Sequence, residues 1–182
     1  MSILALWQPI VLSAVLVFFV SAIVWMAMPW HKTDFKKTLN EEEGIRAALK
    51  NLSPGAYLVP HCIEPEEFKK PESQQKFIDG PVAYITVQEK GLPKMGHRLL
   101  KIFIFYLFIG GLCAYLVRHF APPDASYLQI FQLTGTVAWA AHGLAYVQES
   151  IWFARPWSTT AKNIFDALIY ALITGGVFGW LV

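Results

Sequence analysis

Residues 4–30 read LALWQPIVLSAVLVFFVSAIVWMAMPW, a stretch without a single charged side chain. A helix needs about 20 apolar residues to cross the roughly 30 Å of hydrocarbon in a bilayer, and this run is longer. No basic residue precedes it and no small-residue cleavage site follows it, so the pattern differs from that of a secretion signal. The stretch therefore predicts a membrane-spanning helix that is retained.

Three more apolar segments of spanning length follow, at residues 99–117, 127–153 and about 161–182. The loops between them are short, which makes these three helices antiparallel neighbours. The predicted fold class is an all-α membrane protein, a four-transmembrane-helix bundle with a small α/β insert between helices 1 and 2. The predicted domains are helix 1 at residues 1–30, the insert at 31–98 and helices 2 to 4 at 99–182.

Basic residues predict the orientation, because Lys and Arg near helix ends stay on the cytoplasmic side. Of the 15 Lys and Arg, 12 lie between Lys32 and Lys101, and Arg155 and Lys162 lie between the third and fourth helices. Only Arg118 lies on the other side. Both termini are therefore expected in the periplasm, with the insert in the cytoplasm.

The insert carries ten of the 13 acidic residues, between Asp34 and Glu89. The stretch NEEEGIRAALKNL (40–52) predicts a helix, and AYLVPHC (56–62) and GPVAYITVQEKG (80–91) predict two strands. Two strands form a ribbon that is only marginally stable alone. We expect this ribbon either to pack on the helix or to lie against the membrane surface.

Small residues in the last three predicted helices indicate contact faces, because close backbone approach drives helix association in lipid. They are Gly110, Gly111 and Ala114 in the second helix, Gly135, Ala138 and Gly143 in the third, and Gly175, Gly176 and Gly179 in the fourth.

A polar stripe runs along the third predicted helix, within an arc of roughly 100°. It consists of Gln132, Gly135, Trp139, His142, Tyr146 and Glu149. An ionisable residue inside a membrane span is a functional candidate by default. His142, Tyr146 and Glu149 are therefore the candidate residues for binding an unspecified cofactor, a quinone or a lipid, or for moving protons.

A structural role also explains the same residues and is the simpler interpretation. Glu149 lies near the inner interface, where Arg155, Lys162 and Asp166 are available for an ion-pair cluster that locks the last two helices together. His142 then becomes a neutral histidine that hydrogen-bonds a neighbouring backbone, Ser or Thr group. Both interpretations stay open at this point.

Enzyme motifs are absent from the sequence, which contains no HExxH, GxSxG, P-loop or GxGxxG pattern. A metal-dependent, lipid-modifying site at the inner face would have to use His31, His97, Glu149 and Asp166, and their spacing matches no metal motif. We therefore predict no catalytic and no metal-binding residues. The two cysteines, Cys62 and Cys113, lie in segments that are not expected to meet, so no disulfide is predicted.

The segments MPWHK (28–32), GPVAYITV (80–87), RPWSTT (155–160) and DALIYALITGGVFGW (166–180) resemble those of a family of small uncharacterised bacterial inner-membrane proteins of similar length. The resemblance covers the whole chain and implies a bacterial cytoplasmic-membrane location. It implies no activity and assigns no functional residue.

The leading functional hypothesis is a non-enzymatic accessory, scaffold or assembly component that docks on a larger membrane complex. The expected partners are membrane lipid and either other membrane subunits or copies of the same chain, and not nucleic acid, since no run of like charge is present. The alternative is a cofactor-, quinone- or lipid-binding or proton-conducting protein that uses the polar stripe.

Overall fold

A computed structural model describes residues 3–38 and 40–182, with Ile3 and Leu4 described by their backbone alone. The helices are α1 Trp7–Met26, α2 Glu42–Leu49, α3 Pro65–Phe68, α4 Pro71–Asp79, α5 Met95–Phe120, α6 Tyr127–Gly143, α7 Ala145–Phe153 and α8 Trp157–Leu181. The strands are β1 Gly55–Val59 and β2 Ala83–Val87, and single 3-10 turns occur at Ile3–Leu6 and Trp30–Thr33.

The chain forms two compact units. The helical unit comprises the chain up to Phe35 together with Lys94–Val182, and the insert unit is Lys36–Pro93. The insert predicted at 31–98 is therefore shorter at both ends in the structure. Its first residues, including His31 and Asp34, belong to the helical unit because they pack against α8.

Three helices, α1, α5 and α8, are long and apolar enough to cross a membrane. The third predicted helix is divided into α6 and α7, which meet at Leu144. The Leu144 backbone keeps helical angles (φ −67°, ψ −26°), but the Val147 N–H donates to the carbonyl three residues back instead of four. The predicted count of four uninterrupted spanning helices is therefore not confirmed, because a tightened turn follows Gly143, a poor helix former.

In the helical unit, α8 packs along α6 and against α1, while α5 packs against α1 and α6. The predicted small residues lie at several of these contacts. A Cβ placed on Gly143 would lie 2.9 Å from Ala167 Cβ, and one placed on Gly175 would lie 2.9 Å from the Phe131 carbonyl oxygen. The predicted contact faces are thus confirmed for α6 and α8 and at Gly110 of α5, where a Cβ would lie 3.2 Å from Ile10 Cα of α1. At Gly111 a Cβ would meet nothing within 4 Å, so this glycine is not at a contact.

The insert unit contains the predicted ribbon. Strands β1 and β2 pair antiparallel, with Gly55 opposite Val87, Tyr57 opposite Ile85 and Val59 opposite Ala83. The predicted helix is α2, which starts at Glu42, two residues after the beginning of the predicted stretch 40–52. Among the described residues of this unit none is buried, so the insert has no closed hydrophobic core of its own.

Candidate functional site

A buried cluster of ionisable side chains in the helical unit includes two residues of the turn that follows α1. Pro29 cannot continue the helix, and the chain forms one 3-10 turn at Trp30–Thr33. This turn places His31 and Asp34 three residues apart, with His31 Nδ1 2.6 Å from Asp34 Oδ2. On its other edge, His31 Nε2 lies 2.7 Å from Asp166 Oδ2 of α8. All three side chains are at most 4% exposed.

Lys162, one turn before Asp166 on α8, holds the same turn from a second side. Its ammonium group donates to Asp34 Oδ1 at 2.7 Å, to the Trp30 carbonyl at 2.6 Å and to Thr33 Oγ1 at 2.8 Å. These three bonds use every donor that a lysine has. We call His31, Asp34, Lys162 and Asp166 together the His31 centre.

Aromatic rings surround the His31 ring. Trp25 stacks on it with ring centroids 3.9 Å apart and planes within 6°, and Trp30 meets it edge-on at 6.3 Å. Trp30 in turn packs edge-on against Phe165 of α8 at 5.8 Å. These rings keep water away from the imidazole and so strengthen its contacts with the two carboxylates.

The charge of Asp34 is set by opposing effects. Burial raises the pKa of this carboxyl, but the hydrogen bonds and charges of Lys162 and His31 lower it more, so the pKa lies below its ordinary value of 3.8. Asp34 therefore stabilises the folded protein above that ordinary value, and this contribution is lost as the pH falls through the depressed pKa.

Asp166 is less completely bonded than Asp34. Its Oδ1 atom is buried and has no hydrogen-bond partner in the part of the chain that the structure describes. Asp34, by contrast, uses Oδ2 with His31 and Oδ1 with Lys162 and, at 3.4 Å, with the Thr159 hydroxyl. The two carboxylates that face one imidazole thus have very different surroundings.

His142, the central residue of the predicted polar stripe, is partly buried in the helical unit among aromatic rings. Its ring centroid is 5.5 Å from that of Tyr106 and 5.4 Å from that of Tyr170, with Phe105 at 6.0 Å. Two buried polar atoms of the same unit, Trp139 Nε1 and the Tyr170 hydroxyl oxygen, find no partner with hydrogen-bond geometry among the described residues.

The other two stripe candidates lie on α7. The Tyr146 carbonyl accepts a hydrogen bond from the Thr160 hydroxyl at 3.3 Å, which joins α7 to α8. Glu149 is 45% exposed and lies 3.8 Å from Arg155. The structure therefore places the partly buried His142 beside Tyr106 and Tyr170 and leaves nearly half of the Glu149 side chain exposed, with the Leu144 interruption between the two residues.

The predicted ion-pair cluster of Glu149, Arg155, Lys162 and Asp166 is divided in the structure. Glu149 pairs loosely with Arg155, while Lys162 and Asp166 belong to the His31 centre. Lys162 binds Asp34, a residue that the sequence reasoning did not select. The sequence does contain a signal for this contact, because His31 and Asp34 lie three residues apart in the turn that starts after Pro29.

The inner-face metal hypothesis had grouped His31 and Asp166 with His97 and Glu149. Of these, the structure joins His31 and Asp166. Within residues 3–38 and 40–182, no group of three or more His, Cys, Asp or Glu side chains has an arrangement that could hold a metal ion.

No protein-family model matches this chain, nor does any curated protein or any solved structure.

Proposed function

We propose that the chain is a four-span protein of the bacterial inner membrane, with both termini in the periplasm and the insert in the cytoplasm. Three apolar helices support membrane insertion, and α6 and α7 together supply a fourth segment, residues 127–153, of sufficient length. The distribution of Lys and Arg supports the orientation. The bacterial location rests on the resemblance of its sequence segments to small inner-membrane proteins.

Within that membrane we propose a non-enzymatic accessory role, in which the insert docks on another membrane protein or on a second copy of the chain. The observation that carries this proposal is the exposure of apolar side chains on the insert unit. Ile63 is 68% exposed, Ile78 is 76% exposed and Leu92 is 93% exposed, in a unit without one buried described residue. Exposed apolar surface of this kind is typical of interaction sites.

Site-specific photocrosslinking in cells tests the docking role. A photoreactive amino acid at Ile78 is expected to give a discrete protein adduct, because this exposed side chain of α4 lies at the proposed contact. The matched control is Glu72, an exposed polar position of the same helix. Co-expression of a differently tagged copy distinguishes a self-contact from a second protein. Equal adducts at both positions, or none at Ile78, would contradict the proposal.

A second candidate function is supported by the surroundings of His142. According to this candidate function, His142, Tyr146 and Glu149 are the polar groups with which the stripe binds a cofactor, a quinone or a lipid, or conducts protons. The enclosure of His142 by Tyr106 and Tyr170 supports a binding role for the histidine more than a continuous path to Glu149, which lies at the surface.

Analysis of the organic extract and the absorption spectrum of the purified protein tests this second candidate. A bound molecule should be present in the wild-type protein, lost from His142→Ala and retained in His119→Ala, where the replaced histidine is exposed. An identical extract and spectrum from all three proteins would eliminate the binding version of this function.

A further inference from the structure

The two short contacts of the His31 ring show how many protons the imidazole shares with the Asp34 and Asp166 carboxylates. One ring nitrogen lies 2.6 Å from an Asp34 oxygen and the other lies 2.7 Å from an Asp166 oxygen. A nitrogen and an oxygen approach so closely only with a hydrogen atom between them. His31, Asp34 and Asp166 therefore share two protons.

The two carboxylates are not equivalent acceptors for these protons. Asp34 receives hydrogen bonds from Lys162, Thr159 and His31, all of which favour its charged form. Asp166 has the His31 contact on Oδ2, while its buried Oδ1 has no partner among the described residues and its side chain is only 4% exposed. The proton beside Asp34 thus stays on His31 Nδ1, and the other proton is shared between His31 Nε2 and Asp166.

We propose that the His31 centre is a proton-binding site, in which the exchangeable proton lies between His31 Nε2 and Asp166 Oδ2. On binding, a proton from water forms an N–H or O–H bond at this position. On release, that bond breaks, its electron pair stays on the protein atom and the proton returns to water. The site is independent of the docking role proposed for the insert.

Charge gives proton release a structural consequence. With the proton bound, the two carboxylates are balanced by the Lys162 ammonium group and the shared proton, so the centre is neutral. Release leaves one uncompensated negative charge among side chains that are almost completely buried, which is unfavourable. Proton release should therefore loosen the attachment of the turn at residues 30–34 to α8.

The groups around this proton come from four elements. The turn contributes His31 and Asp34, and α8 contributes Lys162 and Asp166. Tyr146 of α7 and Tyr170 of α8 lie close enough to interact with the charge of Asp166, and Trp25 covers the imidazole from α1. Lys162 is 24% exposed and is the member of the centre that borders water. Proton exchange is expected from that side.

Nitrogen NMR of protein labelled with 15N-histidine, with the proton itself as the probe, tests the site. At about pH 7.5, the exposed His61 and His97 supply reference ring-nitrogen signals. His31, which contacts a carboxylate at each ring nitrogen, should hold two ring protons, or hold one while an infrared carbonyl band shows a protonated Asp166. The signal of the shared proton should be lost in Asp166→Asn and retained in Asp124→Asn, a change at an exposed loop position.

The wild-type measurement keeps the test valid if Asp166→Asn does not fold. In the wild-type protein, the His31 signals can be assigned by magnetisation transfer between the His31 ring and the Trp25 ring stacked on it. Five histidines that each hold a single ring proton at this pH, together with no protonated-carboxyl band, would overturn the proposal. A shared-proton signal that persists in folded Asp166→Asn would also overturn it.

Discussion

Replacement of His31 by alanine is expected to lower the free energy of unfolding of the helical unit by about 3–5 kcal/mol, the range observed when one partner of a buried ion pair is removed. The imidazole is the only group that separates Asp34 Oδ2 from Asp166 Oδ2 in the described contacts, and both side chains are almost fully buried. Without it, two carboxylates face each other in a site that excludes water. Titration of the purified wild-type and variant proteins with a denaturing detergent measures this difference in the free energy of unfolding.

Arg155→Ala is the matched control in the same unit. Arg155 and Glu149 are 43% and 45% exposed and their closest charged atoms are 3.8 Å apart. An exposed pair of this kind contributes at most about 1 kcal/mol, so the control should change stability by less than that. Equal losses in the two variants would mean that the His31 centre does not hold the turn at residues 30–34 against α8.

Gly175→Ala is expected to lower the stability of the helical unit by about 1–3 kcal/mol, because overpacking of a closely packed contact costs that much. The added methyl group would lie 2.9 Å from the Phe131 carbonyl oxygen and 3.3 Å from Gly135 Cα. Both are backbone atoms of α6, so the strain cannot be relieved by turning a side chain. The helices α6 and α8 would have to separate.

Gly111→Ala provides the control for this prediction, since a Cβ there meets nothing within 4 Å. Alanine is a better helix former than glycine by up to about 1 kcal/mol, so this variant should be neutral or slightly more stable. The same denaturing detergent series compares the two variants. A Gly175→Ala protein as stable as Gly111→Ala would contradict close packing between α6 and α8.

Long apolar runs made α1, α5 and α8 predictable, because length and hydrophobicity alone mark a spanning helix. The interruption at Leu144 was not predictable in the same way. It involves one hydrogen-bond shift within the 27 residues of the segment 127–153, and the hydrophobic pattern continues unchanged across it. The ribbon of the insert was predicted because alternating residues bounded by Gly and Pro specify strands locally.

The His31 centre was only partly predictable. The orientation rule placed His31 and Asp166 at the same face of the bundle, so both were candidates, but they are 135 residues apart and only tertiary packing joins them. Asp34 was missed because it stands at the start of an acidic insert, where a carboxylate is ordinarily solvated. Its role depends on the single turn after Pro29, which folds it back onto Lys162.

In the proposed topology, α1, α5, the α6–α7 pair and α8 cross a bilayer with the insert on the cytoplasmic side. Cysteine labelling in membrane vesicles tests this topology most directly. Cys62 lies in the insert and is partly exposed, whereas Cys113 is fully buried, so a Cys113→Ala background leaves one native reporter. In the same background without Cys62, Asp124→Cys reports the α5–α6 loop and Arg155→Cys reports the α7–α8 loop.

A membrane-impermeant maleimide should label Cys62 and Arg155→Cys only in inverted vesicles, and Asp124→Cys only from the outside of spheroplasts. Labelling of Arg155→Cys from the same side as Asp124→Cys would show that α6 and α7 do not cross. Labelling of Cys62 and Asp124→Cys from the same side would contradict the crossing of α5 and, with it, the membrane-spanning fold.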